Sequence, residues 1–154
     1  MTPAVVALQA AGVPFTIHEY EHDPNVRSYG LEAATVLGLD PDQVFKTLLV
    51  TADGEPAVAI VPVSCQLSLK AVAAALGAKR AELCDPERAE RTTGYVVGGI
   101  SPFGQRRRLV TVIDETCELY ENVFVSGGRR GLDLGIAPDD LIAVLAAIVA
   151  PITA

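Results

Sequence analysis

The run FKTLLVTADGEPAVAIVPV at 45–63 limits the fold more than any other stretch. Two β-rich segments flank ADGEP, and Asp53–Gly54 are the turn residues of a β-hairpin. Four further β-type runs crowd the second half: TGYVVGG, RRLVTVIDE, NVFVSGG and GLDLGI. Strands that cluster, rather than alternate strictly with helices, predict an α+β fold instead of a doubly wound parallel sheet. We expect a mixed, strongly curved or barrel-like β-sheet surrounded by helices.

The helices carry their own punctuation. Thr2 and Pro3 open one that Gly12 closes. A second covers 30–37 before Gly38, and Asp40, Pro41 and Gln43 suggest another helical turn with a capping box. Ser68 to Gly77 and Asp85 to Gly94 read as two capped helices. The last helix starts at Pro138 and is expected to run to just before Pro151. Alternation of Phe15 and Ile17 places a strand near 14–20. No repeat or linker divides the chain, and 154 residues suit one domain, 1–154.

The apolar run LIAVLAAIVAPI at 141–152 is shorter than the roughly 20 residues of a spanning helix. The amino terminus lacks the basic region of a signal peptide. Three cysteines, none in a C-x-x-C pair, read as reduced thiols. A cytoplasmic, soluble protein without membrane contact is expected, with a monomer as the default.

A net charge of −7 argues against avid, unspecific nucleic-acid binding. The positive charge is unevenly placed, however. Five of the 12 Lys and Arg residues form two clusters, Arg106–Arg107–Arg108 and Arg129–Arg130, and each follows a glycine-rich turn. A local basic patch is therefore open to a polyanion.

Standard catalytic patterns are missing. His18 and His22 could share a metal only on a helix, and their segment reads as a strand entering a loop. Neither a metal nor a cofactor is expected. Cys65 is read as a small apolar residue rather than a nucleophile. Ser101, in GISPF, is not in a G-x-S-x-G elbow, and neither glycine loop matches a phosphate-binding motif. What remains is backbone chemistry at Gly98–Gly99, stiffened by Pro102, and at Gly127–Gly128. On spacing alone, both loops read first as ordinary β-turns. Lys46 shares a strand face with Leu48 and Val50, so it either snorkels to solvent or points into a cavity. Asp133 lies opposite Leu132, Leu134 and Ile136, facing solvent or a site.

The stretches MTPAV, YEHDP, LGLDPDQVFKTLLV, KAVAAALGAK, TGYVVGGISPFGQ and VSGGRRGLDL extend in order over nearly the whole chain. Together they resemble the YbaK family of aminoacyl-tRNA deacylases, which is related to the editing domain of bacterial prolyl-tRNA synthetases. The resemblance implies the mixed, barrel-like fold and a free-standing enzyme that hydrolyses mischarged Cys-tRNA(Pro), with Cys-tRNA(Cys) a further substrate. A deacylase preferring Ala-tRNA(Pro) and a non-catalytic tRNA- or synthetase-binding module are the alternatives. The implied partners are tRNA(Pro) carrying cysteine and prolyl-tRNA synthetase.

The family site falls on Lys46 with Thr47 beside it, on the G-x-x-x-P loop Gly98, Gly99, Ile100, Ser101 and Pro102, and on Ser126, Gly127 and Asp133. Tyr20 and Tyr29 fall on substrate-pocket positions. The resemblance further implies that the substrate's own thiol attacks its ester carbonyl. Lys46 would then anchor the terminal adenosine, and Asp133 would take the α-ammonium group. Arg106, Arg107, Arg108, Arg129 and Arg130 are the expected contacts to acceptor-stem phosphates.

Overall fold

The computed structural model describes residues 1–154 and contains five α-helices and eight strands in two sheets. Helix α1 (Pro3–Ala11) is capped as its sequence predicts. The Thr2 hydroxyl accepts from the Val5 amide, and Gly12 closes the helix at φ 71°. Strand β1 (Phe15–Glu19) and helix α2 (Tyr29–Leu37) follow. After α2, Asp40 to Gln43 form a turn and not the expected helical one. The Asp40 side chain accepts from the Asp42 amide and its carbonyl from that of Gln43, so the local polar group competes with a helix.

The hairpin is present as read. Strands β2 (Phe45–Ala52) and β3 (Glu55–Pro62) pair from Phe45↔Pro62 to Ala52↔Glu55. Asp53 (φ 48°) and Gly54 (φ 82°) make its two-residue turn with positive φ at both positions. The Asp53 carboxylate also accepts the amides of Lys79 and Arg80, tying the turn to the end of helix α3 (Leu69–Leu76). Strand β4 (Ala81–Leu83), which the sequence did not announce, adds to β2.

Helix α4 (Pro86–Thr93) leads into a loop where TGYVVGG was expected to be a strand. Side chains of α4 take the donors a ladder would need. The Tyr95 amide donates to Thr93 Oγ1 at 3.2 Å and the Val97 amide to Glu90 Oε2 at 2.8 Å. The Tyr95 hydroxyl then donates to the Phe103 carbonyl at 2.7 Å and folds the segment back on itself.

Strand β5 (Thr111–Asp114) is shorter than RRLVTVIDE suggested and is followed by a 3-10 turn, Glu115–Leu119. Strands β6 (Val123–Arg129) and β7 (Leu132–Ile136) make an antiparallel pair with a bulge between Ser126 and Arg129. Helix α5 (Pro138–Leu145) stops well short of Pro151. Ala146 turns left-handed (φ 50°), and β8 (Ile148–Ala150) joins the sheet beside β5. The buried carboxylate of Asp114 captures the Ile152 amide at 2.9 Å, tying the segment just past β8 to the end of β5.

One sheet has the order β1-β7-β6 and is antiparallel; the other, β4-β2-β3-β5-β8, is mixed. A single parallel bridge, Val44↔Phe124, joins them, and no closed barrel forms. The main core, with Leu8, Phe45, Ile60, Phe103, Ile113 and Leu134, lies among both sheets, α1 and α5. A smaller core packs Val72 of α3 on Val50, Val61, Val112 and Ile152. Each such side chain contributes about 1.5–3 kcal/mol by burial. No helix is long and apolar enough to cross a membrane.

Candidate active site

The two sheets diverge beside the Val44↔Phe124 bridge and leave a cleft of about 470 Å³. The start of β2 supplies Lys46 and Thr47, β6 supplies Ser126, and β7 supplies Asp133. Tyr20, Tyr29 at the start of α2, and Gly98 and Ile100 of the loop after α4 complete the polar part. Residues distant in sequence meet here because β2 and β7 are central strands of different sheets.

Lys46, which the sequence placed either in solvent or in a cavity, lines this cleft. It is half-buried, and no carboxylate lies within ion-pair distance of it. Asp133 is 6% exposed, and no group donates to its carboxylate. Burial pushes its pKa from 3.8 to about 7, because little water reaches the charge. It stands level with Ser126 on one side and His18 on the other. The Tyr20 hydroxyl is pushed up to about 12, first by burial and then by the charges of Asp133 and Glu32. The Thr47 hydroxyl is buried without a hydrogen-bond partner.

The glycine loop offers donors. A turn closes with the Gly99 amide donating to the Val96 carbonyl at 2.9 Å. The amides on either side, Gly98 and Ile100, have no acceptor within the chain, and both residues line the cleft. Position 98 requires glycine. Its φ is +88°, and a Cβ there would lie 2.7 Å from the Tyr29 ring.

Four of the expected site residues lie outside the cleft lining. Ser101 is fully buried, and its Oγ accepts from the Phe103 amide. Pro102 borders a separate pocket under α1 and α5. Gly99 packs on the Arg129–Arg130 backbone, and the Gly127 carbonyl accepts from the Thr2 hydroxyl. None of the five arginines lines the cleft either. The Arg106 side chain lies over Gly94, Arg107 is 3.8 Å from Glu55, and Arg108 donates to the Val144 carbonyl. Arg129 pairs with Glu19 at 3.1 Å, and Arg130 donates to the Val97 carbonyl.

The cleft wall also holds Leu31, Leu83, Cys84 and Pro86, which the sequence reading did not select. Leu83 is 61% exposed, an apolar rim that only the unannounced strand β4 creates. Both histidines are engaged elsewhere. His18 Nε2 lies 2.8 Å from the Thr16 hydroxyl, and His22 Nδ1 lies 2.6 Å from Glu32. The Cys84 thiol is pushed up, chiefly by burial, and so stays protonated near neutrality. Thus no hydroxyl or thiol in the cleft is hydrogen-bonded to a base, and no group of three or more His, Cys, Asp and Glu is placed to hold a metal. It can bind a cation at Asp133, an anion at Lys46, and a carbonyl or oxyanion at the Gly98 and Ile100 amides.

Residues 23–144 match the family model described as the aminoacyl-tRNA editing domain. A protein of Enterococcus faecalis, "Putative Cys-tRNA(Pro)/Cys-tRNA(Cys) deacylase EbsC", is 31% identical over 93% of this chain and 87% of its own length. A proline–tRNA ligase of Geobacter metallireducens is 35% identical over 66% of this chain, which spans only 17% of the ligase. The crystal structure of "a putative trans-editing enzyme for prolyl tRNA synthetase" shares the fold, with a TM-score of 0.88 over 99% of this chain and 95% of that one, at 24% identity.

Proposed function

The chain belongs to the aminoacyl-tRNA editing domain family, and from that premise we propose that this aminoacyl-tRNA deacylase removes cysteine from Cys-tRNA(Pro) with the help of the substrate's own thiol. The observation that carries the reading is a cleft rich in binding groups in which no hydroxyl or thiol is hydrogen-bonded to a base. A synthetase separates small side chains by only about 1–3 kcal/mol, so a second, hydrolytic site is the physical remedy.

In this reading Asp133 takes the α-ammonium group. A cation beside that carboxyl favours its ionised form and brings its pKa back down. Lys46 holds the terminal ribose or its phosphate. The ester carbonyl meets the Gly98 and Ile100 amides. The substrate's sulfur then attacks its own carbonyl carbon, and the carbonyl oxygen becomes the oxyanion. As it collapses, the bond to the ribose oxygen breaks. That oxygen leaves with the proton the thiol gave up, and cysteine departs as a four-membered thiolactone that water opens. Orientation of this kind reaches effective molarities of about 10⁵–10⁸ M. A donor on the developing oxyanion adds about 10²–10³ in rate.

Deacylation of Cys-, Ser-, Ala- and Pro-tRNA(Pro), with and without prolyl-tRNA synthetase, tests the reading. Cys-tRNA(Pro) should be cleared fastest, thiolactone should be trapped early, and Lys46→Ala should abolish turnover. Equal rates for Ser- or Ala-tRNA would overturn thiol assistance. Binding with no release of amino acid under substrate excess would make the protein a binding module instead.

A further inference from the structure

Arg130 belongs to a basic cluster, yet its guanidinium faces inward. Nε and Nη2 both donate to the Val97 carbonyl, at 3.0 and 2.7 Å. The same group lies 4.6 Å from the centroid of the Tyr29 ring. That ring is in turn the surface against which Gly98 packs. The backbone completes the contact, because a Cβ on Gly99 would fall 2.8 Å from Arg129 Cα and 2.9 Å from the Arg130 amide nitrogen.

The consequence follows from peptide geometry. No peptide bond in the chain is cis, so the Val97 carbonyl and the Gly98 N–H point in opposite directions across one rigid plane. Two hydrogen bonds fix the direction of that carbonyl, and they thereby fix the direction of the N–H. The Gly98 N–H has no acceptor in the chain, and Gly98 lines the cleft. A glycine at φ +88° is otherwise free to rotate this plane. The planar fork of arginine suits the task, since one guanidinium both makes the paired bonds and stacks on an aromatic face.

We infer that Arg130 is a positioning residue, and not a phosphate contact: it clamps the Val97–Gly98 peptide so that the Gly98 N–H is preset as a donor to the scissile ester. This rests on the deacylase reading for the identity of the acceptor, whereas the clamp itself does not. Tyr29 serves the same end as the surface that both the guanidinium and Gly98 pack against.

The test uses the full-length protein with Arg130→Gln and Arg130→Lys, Cys-tRNA(Pro) kinetics over a salt series, and ¹⁵N relaxation at the Gly98 amide. The clamp predicts that Arg130→Gln lowers kcat about 10–100-fold, short of the loss of a whole oxyanion donor. KM and its salt slope should stay within about twofold of the parent protein. Arg130→Lys, which keeps a cation but not the paired bonds, should lie between. The Gly98 order parameter should fall from about 0.85 towards 0.6 or less. A higher KM with a shallower salt slope and unchanged kcat would make Arg130 a phosphate contact and overturn the proposal. Should Arg130→Gln not fold, the Lys variant gives both readouts. Should the parent protein leave Cys-tRNA(Pro) intact, the substrate reading fails, and relaxation alone decides: a Gly98 amide that stays rigid without the guanidinium refutes the clamp, and one that loosens upholds it.

Discussion

Asp133→Asn should stabilise the protein at alkaline pH while impairing its activity, and the structure sets the size of the effect. The carboxyl is 6% exposed and without a donor, and its folded-state midpoint is about 7 against 3.8 when unfolded. Between those two values the folded protein holds a proton that the unfolded chain has lost. The stability from that proton is complete below 3.8, falls as the pH rises, and is gone above about 7. At about 1.4 kcal/mol per tenfold change in proton affinity, the difference amounts to about 4 kcal/mol. Asparagine keeps the neutral shape at every pH and avoids the buried charge. For a domain of this size about 1 kcal/mol moves Tm by about 2–4 °C. Thermal melts should show Asp133→Asn and the parent protein alike near pH 4, with the variant higher by about 8–16 °C near pH 8. Other carboxylates titrate in both proteins and cancel in the difference. A Tm difference that stays constant across this range would refute the reasoning, because it would mean that Asp133 binds its proton equally well folded and unfolded. Deacylation should move the other way, since an amide cannot balance the α-ammonium group.

Gly98→Ala should lower kcat by more than tenfold, because a methyl group 2.7 Å from the Tyr29 ring and a positive φ displace the loop together; unchanged kinetics would separate the loop from catalysis. Cys84→Ser should retain deacylation, and its loss would restore a protein thiol to the mechanism. Replacing Arg106, Arg107 and Arg108 together by glutamine tests whether an acceptor stem reaches beyond the cleft. Every phosphate that the triple variant no longer neutralises should shrink the salt slope of binding by about 0.7–0.9, and an unchanged slope would leave the three as solvated surface.

The sequence was most legible where one residue has one conformational use. Asp53–Gly54 announce the hairpin because few other pairs accept positive φ at both positions, and the structure shows 48° and 82° there. Thr2, Ser68 and Asp85 announce helix starts because a side-chain oxygen meets an unpaired amide three residues on. Legibility fails where the deciding partner is remote. The run LIAVLAAIVAPI reads as continuous helix, since nothing local marks Ala146 as a left-handed stop. Strand β8 forms by pairing with the remote β5, and Asp114 holds the Ile152 amide just beyond it. TGYVVGG has the composition of a strand, but Thr93 and Glu90 take its donors. The same limit applies to the site. Period-2 reading puts Lys46 and Asp133 on informative faces, yet only the meeting of two sheets shows that the faces share a cleft. Arg130 resembles its neighbours in sequence, and only its acceptor, 33 residues away, sets it apart.

Several buried or half-buried groups with unmet needs gather at the cleft. Lys46 lacks a counter-ion, the Asp133 carboxyl lacks a donor, and the Gly98 and Ile100 amides lack acceptors. All of them line one cleft, as does Thr47, whose Oγ1 is buried without a hydrogen-bond partner. A fold selected for stability alone would not collect such costs in one place; a binding site would, since the ligand meets them. Thr47→Val turns this into a measurement. A methyl replaces the hydroxyl at nearly equal volume, so the folded state sheds an unsatisfied polar group worth about 1–3 kcal/mol. The variant should melt about 2–12 °C higher. Its KM for the aminoacyl ester should rise, because the hydroxyl's partner is then the substrate. A lower Tm would mean that the hydroxyl is already satisfied in the free protein. A higher Tm with unchanged KM would leave the oxygen idle, and the clustering of unmet groups would no longer point to a ligand at that end of the cleft.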